Sequence, residues 1–386
     1  MAIQVEKVYK GSMEQYKMKL VAGKEGLKNI ISWVHILENV VVKGYVRGNE
    51  FVFTTGIVYQ NSEFLLEFVK GLYEYHVSAL AINIGPYIQE IPEVVIQFCD
   101  DHAFPLFTIP WEVQIIDVTK NYCSQIIEDR QNESNAASIF KDILFDSADI
   151  ASYQVELSGY GFDIGASYCA LIMVLDMDNN MNRNNYLQIS RNSIKMLMNW
   201  MDVKHIVFNR NGQIVAVLSE ISKEQLIQIA EKIHQELSAR QYCFHINMGV
   251  GKIVNCIYDL TDSYTCAGHS LNLAKKTDES IVFYHRMDIY KILLLIEQTE
   301  VLRDLYQETI GTLEKIDQTT NAGYVKLLID YIEYNGNIKK LAEDMYVHRN
   351  TINYKLKQIH KLINCDMKQM EDRFRIMLAL KIGKLL

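Results

Sequence analysis

Residues 324–363 read YVKLLIDYIEYNGNIKKLAEDMYVHRNTINYKLKQIHKLI, and the spacing of their apolar side chains predicts three short helices. The break between the first two is Asn335-Gly336-Asn337. Gly336 permits a left-handed exit from one helix, and Asn337 can cap the next. The apolar face of the first helix is expected to hold Val325, Leu328, Ile329 and Ile332. The three helices are predicted over 324–334, 338–345 and about 349–362.

The second and third predicted helices have the spacing of two helices that cross over a tight turn. A close crossing requires a small residue, and Ala342 supplies it. Five residues later Val347 is expected to fill the turn, and five further on Ile352 is expected to anchor the third helix in the core. Such a ladder is the packing pattern of a helix-turn-helix, although Tyr346 stands where Gly is often found.

The opposite side of the third predicted helix carries polar and basic residues near its start. Arginine can pair with guanine edges and asparagine with adenine edges, while Thr, Tyr and Lys can hold phosphates. A solvated basic face on an ordinary helical hairpin would have the same composition, and the ladder of small and apolar residues favours DNA binding over that alternative. The predicted DNA-binding residues are Arg349, Asn350, Thr351, Asn353, Tyr354, Lys355 and Lys357.

Charge is spread unevenly along the 386 residues, whose formal net charge is −8. From residue 324 onward 12 Lys and Arg stand against 7 Asp and Glu, a net charge of +5, whereas the preceding residues carry −13. A basic end on an acidic body confines attraction for phosphates to one place. No apolar run approaches the ~18 residues of a membrane span, so we expect a cytoplasmic protein.

The segment VHRNTINYKL, residues 347–356, resembles the signature of PucR-type regulators, also called CdaR-type. Their motif usually reads His-Arg-Asn-Thr-Leu-x-Tyr-Arg-Leu, and this chain departs from it at Ile352 and Lys355. The resemblance extends to the closing helix of that family, to its N-terminal sensor domain and to its degenerate GGDEF-like middle domain. The segments that carry it are LINCDMKQMEDRFRIMLALKI (362–382), ISWVHILENV (31–40), RGNEFVFTTG (47–56), ALAINIG (79–85), AFPLFTIPWEV (103–113) and INMGVGKIVNCIYDLTDSYTCAGHSLNLAKK (246–276).

The resemblance and the alternation of strand-like and helix-like segments predict a multidomain chain. We expect an α/β N-terminal sensor, an α+β degenerate GGDEF-like middle domain and an all-α C-terminal helix-turn-helix domain. A helical linker with a break near Asn132 should join the first two, and its stripe (Ile116, Thr119, Cys123, Ile126, Ile127) could pack on its own domain or pair two subunits. The expected boundaries are 1–125, 126–158, 159–290 and 291–386, with the DNA-binding part at 324–386.

A catalytic GGDEF domain needs carboxylates on two segments to hold two divalent cations against a triphosphate. One set would be Asp176 and Asp178, after the first strand of the middle domain. The other should lie on the hairpin RNGQIVAVL (210–218), which contains Gly212 and the neutral Gln213 but no Asp or Glu. We therefore expect no cyclase activity, no catalytic residue, no metal site and no cofactor.

An effector site is predicted in the N-terminal domain. An aromatic plate with nearby donors and acceptors would suit a flat polar heterocycle, although each residue taken alone has an ordinary structural explanation. In the family this domain is associated with control of purine catabolism, which implies a purine or a purine catabolite as the effector. The candidate residues are Trp33, His35, Glu38, Glu50, Thr54 and Thr55.

The sequence thus predicts a ligand-responsive transcription regulator that binds a double-stranded DNA operator, acts as a homodimer or higher homo-oligomer and contacts no membrane. Two alternatives remain open. One is a nucleotide-binding or cyclase-like enzyme whose helical tail serves oligomerisation. The other is a sensor that acts only through protein partners.

Overall fold

The computed structural model divides the chain into two compact units, Met1–Ile246 with Lys252–Thr265 and Asn247–Gly251 with Cys266–Leu386. It holds two five-stranded sheets and a helical C-terminal region. The residues that the structure describes are 3–38, 44–146, 149–176, 183–239, 245–277, 279–296, 299–367 and 369–386.

The first sheet is mostly parallel and has the strand order β1-β5-β4-β3-β2, with β1 antiparallel at one edge. Its central strands β3 and β4 are buried almost throughout because both of their faces are covered by helices and loops. The elements are α1 (Val5–Gln15), β1 (Lys19–Ala22), β2 (Trp33–Ile36), β3 (Glu50–Thr54), α2 (Ser62–Glu74), β4 (Ala79–Ile84), α3 (Glu93–Asp101) and β5 (Leu106–Pro110).

Helix α4 runs without interruption from Ile115 to Phe145 and is about 46 Å long at 1.5 Å per residue. The expected break near Asn132 is therefore wrong. The polar run around it contains neither Gly nor Pro, so it changes the polarity of the helix surface and leaves the backbone hydrogen bonds in place. The helix contacts both β2 and a strand of the second sheet, β7 (Lys204–Arg210). Of the predicted stripe, Thr119 and Ile126 are buried, whereas Ile116 and Ile127 are exposed.

The second sheet has the order β10-β9-β6-β8-β7. Its β7–β8 hairpin turns at Asn211 and Gly212, with φ angles of 48° and 74°. Asn and Gly accept positive φ at low cost, which suits them to this tight turn. The elements are α5 (Gln154–Gly159), β6 (Tyr168–Asp176), α6 (Arg183–Trp200), β7 (Lys204–Arg210), β8 (Gln213–Ser219), α7 (Lys223–Ala239), β9 (His245–Val250), α8 (Leu260–Thr277) and β10 (Ile281–Phe283).

The chain beyond β10 is helical, as the sequence predicts. A single π-helical stretch, Gln307–Gly311, joins α10 to α11. The three helices expected between 324 and 362 are confirmed to within one residue at each end. The elements are α9 (Tyr290–Leu293), α10 (Thr299–Tyr306), α11 (Thr312–Thr320), α12 (Tyr324–Glu333), α13 (Ile338–Asp344), α14 (Arg349–Ile363) and α15 (Met370–Gly383).

Candidate nucleic-acid interface and sensor residues

Side-chain caps fix the starts of α13 and α14. The Asn337 side chain accepts a hydrogen bond from the Lys340 amide at 3.2 Å, which confirms it as the cap of α13. Gly336 precedes it with a φ of 77°, the left-handed exit expected from the sequence. His348 caps α14, because its Nδ1 accepts a hydrogen bond from the Asn350 amide at 3.2 Å. This cap could not be predicted from residue type, since His is not among the usual capping residues.

The turn between α13 and α14 is closed by the backbone. The Val347 amide donates to the Ala342 carbonyl at 3.0 Å, and Tyr346 has a φ of 54°. Tyr346 thus adopts the left-handed conformation that Gly most often provides in such turns. The Val347 side chain is 38 % exposed, so the expectation that it fills the turn is wrong. The left-handed backbone of Tyr346 directs the Val347 amide toward the end of α13. The hydrogen bond between that amide and Ala342 closes the turn in place of a packed side chain.

The other two members of the ladder are confirmed. Ala342 and Ile352 are both buried in one apolar cluster, which also contains Ile359. The small side chain of Ala342 lets α13 approach α14, and the two helices are in contact. The apolar face of α12 is rotated from the predicted one. Its fully buried residues are Leu327, Leu328 and Tyr331, while Val325, Ile329 and Ile332 are only partly buried.

The outer side of α14 carries the polar residues that the sequence selects for DNA binding. Arg349, Asn353 and Lys357 are spaced by four residues, so they form one ridge along the helix. All three are exposed. Asn350, Thr351 and Tyr354 are exposed beside that ridge. A helix held on one side by Ile352 and Ile359 therefore presents donors, acceptors and positive charge on the other.

Lys355 differs from the other predicted DNA-binding residues. Its ammonium donates to the Ala322 carbonyl, between α11 and α12, at 2.7 Å, and the side chain is half-buried. This bond ties the start of α12 to α14 and gives Lys355 a structural role. The sequence could not predict the bond, because Ala322 lies 33 residues away.

The structure separates the six predicted effector residues into two groups. Strands β2 and β3 are parallel, with Trp33 opposite Glu50 at one end. Glu38 follows β2 at the other end, where β3 ends at Thr54 and is followed by Thr55. About 13 Å of strand separates the two ends at 3.3 Å per residue. His35 lies between them and is half-buried. The six residues therefore do not line one site.

The Glu38 carboxylate holds the loop after β3. It accepts hydrogen bonds from the Thr54 hydroxyl at 2.8 Å, the Thr55 amide at 2.6 Å and the Gly56 amide at 3.1 Å. The cavity beside it has a volume of only about 10 Å³, enough for at most one water molecule. These contacts assign Glu38 and Thr54 a structural role in shaping the end of the sheet.

Trp33 and Glu50 at the other end are also engaged by the protein. One Glu50 oxygen accepts from the Arg47 amide at 2.7 Å, whereas the other is enclosed and has no hydrogen-bond partner among the described residues. Trp33 is exposed, and the Arg130 guanidinium lies 5.8 Å from its ring centroid. The aromatic plate expected from the sequence thus faces a cation of α4.

The two segments that would have to hold the cations of a catalytic GGDEF site differ in what the structure describes. Asp176 is the exposed last residue of β6. Asp178 lies outside the described residues. The β7–β8 turn presents Asn211 and Gly212, neither of which can bind a cation through a carboxylate. Within the ranges given above, no helix combines the length and the apolar composition needed to cross a bilayer.

Three family models match the chain in order. Residues 8–126 match the purine catabolism regulatory protein-like family, PucR. Residues 149–273 match the GGDEF-like domain. Residues 324–382 match the PucR C-terminal helix-turn-helix domain and include α12, α13 and α14.

Curated relatives match about half of the chain. The proline-responsive transcriptional activator PutR is 26 % identical over 50 % of this chain and 49 % of its own length. The purine catabolism regulatory protein is 29 % identical over 42 % of this chain and 30 % of its own. The DNA-binding transcriptional activator AdeR is 22 % identical over 51 % of this chain and 46 % of its own. All three are from Bacillus subtilis (strain 168).

Among solved structures, a regulator of polyketide synthase expression from Bifidobacterium adolescentis covers 64 % of this chain and 96 % of its own. It is 14 % identical with a TM-score of 0.28, too low for the two folds to be equated. The matches along the sequence are more informative. Between residues 8 and 382 the chain matches, in order, a PucR N-terminal domain, a GGDEF-like domain and a PucR C-terminal helix-turn-helix domain.

Proposed function

We propose that this protein is a transcription regulator that binds operator DNA through the outer side of α14. The observation that supports this most is the exposed ridge of Arg349, Asn353 and Lys357 on a helix whose inner side is anchored in the core. An α-helix fits the major groove, where Arg and Asn can pair with guanine and adenine edges. The relatives, of which the chain spans about half the length or less, are named as transcriptional activators or as a regulator of purine catabolism.

The regulated process that fits these names is the breakdown of a small nitrogen compound. The relatives are described as proline-responsive and as acting in purine catabolism. We infer that a small metabolite, in the range of an amino acid to a purine catabolite, controls DNA binding here. A homodimer would place two copies of α14 about one helical turn of DNA apart, on a palindromic operator.

Arg349→Ala tests the base contact. DNA selected from a random-sequence pool by the full-length protein serves as the operator, and fluorescence anisotropy measures its affinity. The variant should bind the selected DNA about 1–3 kcal/mol more weakly, because a bidentate contact to guanine is lost.

Arg303→Ala is the matched control, since Arg303 is an exposed arginine of α10 in the same unit and outside the proposed interface. Its affinity for the selected DNA should equal that of the wild type. If the Arg349 variant also retains full affinity, Arg349 does not contact a base.

We infer further that the GGDEF-like domain does not catalyse cyclic dinucleotide formation. The support is the sequence of the β7–β8 turn, which has no carboxylate to hold the second cation of a cyclase site. Incubation of the full-length protein with GTP and Mg²⁺ should leave the GTP unchanged. Any cyclic dinucleotide in the products would favour the enzyme alternative.

A further inference from the structure

A cavity with a volume of about 520 Å³ lies within the first compact unit. Its walls come from the segment before β2, from the residue before β3, from α4, from α6 and from β7. A volume of this size accommodates a small metabolite. The cavity is distinct from the loop held by Glu38, so it was not part of the predicted effector site.

The lining is charged, and three of its six charged residues are held in ion pairs. Glu133 of α4 and Lys195 of α6 form an ion pair in which both side chains are largely buried. Burial alone would raise the pKa of Glu133, but the charge of Lys195 and its hydrogen bond lower that pKa below the ordinary value. The Asp129 carboxylate forms an ion pair with the Lys7 ammonium at 3.4 Å. Arg130 donates to the Ser32 carbonyl at 2.6 Å.

Two further cations of the lining, Arg191 and Lys141, take part in none of these contacts. The Nε atom of Arg191 is enclosed and has no hydrogen-bond partner in the part of the chain that the structure describes. The Lys141 ammonium lies 5.4 Å from the centroid of the Phe208 ring and forms no ion pair with a described residue. An enclosed donor without an acceptor costs free energy unless a ligand or water supplies one. Four basic residues against two acidic ones leave the cavity with an excess of positive charge.

Neutral polar side chains complete the wall. Ser32, Asn49, Ser134 and Asn192 also line the cavity and offer amide and hydroxyl groups. A guanidinium presents parallel donors that match a carboxylate, and an ammonium beside it adds a point charge. The chemistry that satisfies this lining is a small organic anion with further hydrogen-bonding groups.

We propose that this cavity is a binding site for a small organic carboxylate, held by Arg191 and Lys141. The site draws on strands or flanking segments of each sheet and on α4, which contacts β2 and β7. Binding would therefore stabilise one arrangement of these elements, as any ligand of the folded state does. A regulatory role for that binding rests on the proposed DNA-binding function, whereas the binding itself does not.

Calorimetry on the full-length protein without DNA tests the site. Acetate, succinate and citrate are titrated singly at constant ionic strength, which sodium chloride maintains. At least one should bind saturably with a millimolar or lower Kd. Arg191→Gln should weaken that binding at least about tenfold, because a charge-assisted hydrogen bond is lost. Lys141→Met should also weaken the binding of that anion.

The matched control is Arg183→Gln. Arg183 is an exposed arginine at the start of the same helix, outside the cavity, so its loss removes the same charge but should leave binding unchanged. Thermal melting of each variant without ligand shows whether it is folded. Arg191→Lys, which keeps the charge but lacks the fork of donors, serves in place of the Gln variant if the latter unfolds.

Absence of saturable binding for all three anions, or equal binding by the wild type and the Arg191 variant, would overturn the proposal. A separate measurement of DNA affinity with and without the bound anion addresses regulation. A protein that binds the anion but no DNA would retain the site and refute the proposed function, so the two failures are distinguishable.

Discussion

At the scale of single residues, the two lysines near the middle of α14 have different surroundings despite being two positions apart. Lys357 is exposed on the ridge, whereas Lys355 is bound to the Ala322 carbonyl. Each lysine that neutralises a phosphate releases counterions. It thereby increases the magnitude of the negative slope of log affinity against log salt concentration by about 0.9.

Lys357→Met should therefore reduce the magnitude of that slope by about 1 and weaken binding to all DNA sequences alike. Lys355→Met should leave the slope unchanged, and it is the matched control. Affinities measured by anisotropy across a range of potassium chloride concentrations give both slopes. Equal slopes for the Lys357 variant and the wild type would show that Lys357 does not contact a phosphate.

Residue types and spacing were enough to predict most of the α14 surface but not the contacts of its members. Six of the seven predicted DNA-binding residues are exposed because helical periodicity determines which side of α14 faces away from the core. The bond of Lys355 depends on a loop that sequence spacing does not position. The effector residues were misgrouped for a similar reason, since proximity in sequence along β2 and β3 does not mean proximity across the sheet.

His205 of β7 makes the stability of the first unit depend on pH. Burial lowers its pKa to about 4 from an ordinary value of 6.5, although a hydrogen bond with the Val203 carbonyl opposes the shift. Between these values the unfolded chain binds a proton that the folded chain excludes. Stability should therefore fall as pH drops from about 6.5 toward 4, by up to about 1.4 kcal/mol per pH unit.

His205→Asn removes this titration. The melting temperature of the wild type should decrease more between pH 7 and pH 5 than that of the variant, whatever the absolute stability of each. Scanning calorimetry at the two pH values gives the comparison. An identical decrease in both proteins would show that His205 is protonated in the folded state or does not contribute.

At the scale of elements, the α13–α14 turn stores backbone strain at Tyr346. A non-glycine residue in the left-handed region costs about 1–2 kcal/mol relative to its preferred conformations. The Tyr346 side chain is 95 % exposed, so it gains little from packing in return.

Tyr346→Gly should consequently slow amide hydrogen exchange across α13 and α14, by stabilising the turn by about 1 kcal/mol. Tyr346→Ala keeps a side chain in the same conformation and should produce no such gain. Mass spectrometry of hydrogen exchange in the full-length protein resolves this segment. Faster exchange in the Gly variant than in the wild type would contradict the assignment of strain.

Element types and turns were predictable where a residue has one dominant local preference. Asn211-Gly212 specifies a hairpin turn, and Asn337 specifies a helix start, and both are found. The break expected in α4 was not found, because a polar run that contains neither Gly nor Pro does not end a helix. The expected burial of Val347 was not found either. The turn depends on the left-handed backbone of Tyr346, and Tyr is not a residue type that indicates this conformation.

At the scale of the whole molecule, the order of the domain types was predictable, whereas the cavity was not. Sequence motifs indicated a PucR N-terminal domain, a GGDEF-like domain and a helix-turn-helix domain, and family models match them in that order. The cavity draws residues from position 3 to position 208, and no local pattern links Arg191 to Lys141. Sites assembled from distant segments require tertiary packing before they can be recognised.

The central claim, that α14 enters the major groove, is tested most directly by methylation interference on DNA selected by the full-length protein. Guanine N7 lies in the major groove, and its methylation blocks an arginine contact there. Wild-type protein should lose binding when specific guanines in each half-site are methylated, and Arg349→Ala should lose sensitivity to one of them. Binding that is indifferent to methylation at every guanine, in a protein that still selects a defined sequence, would contradict this account.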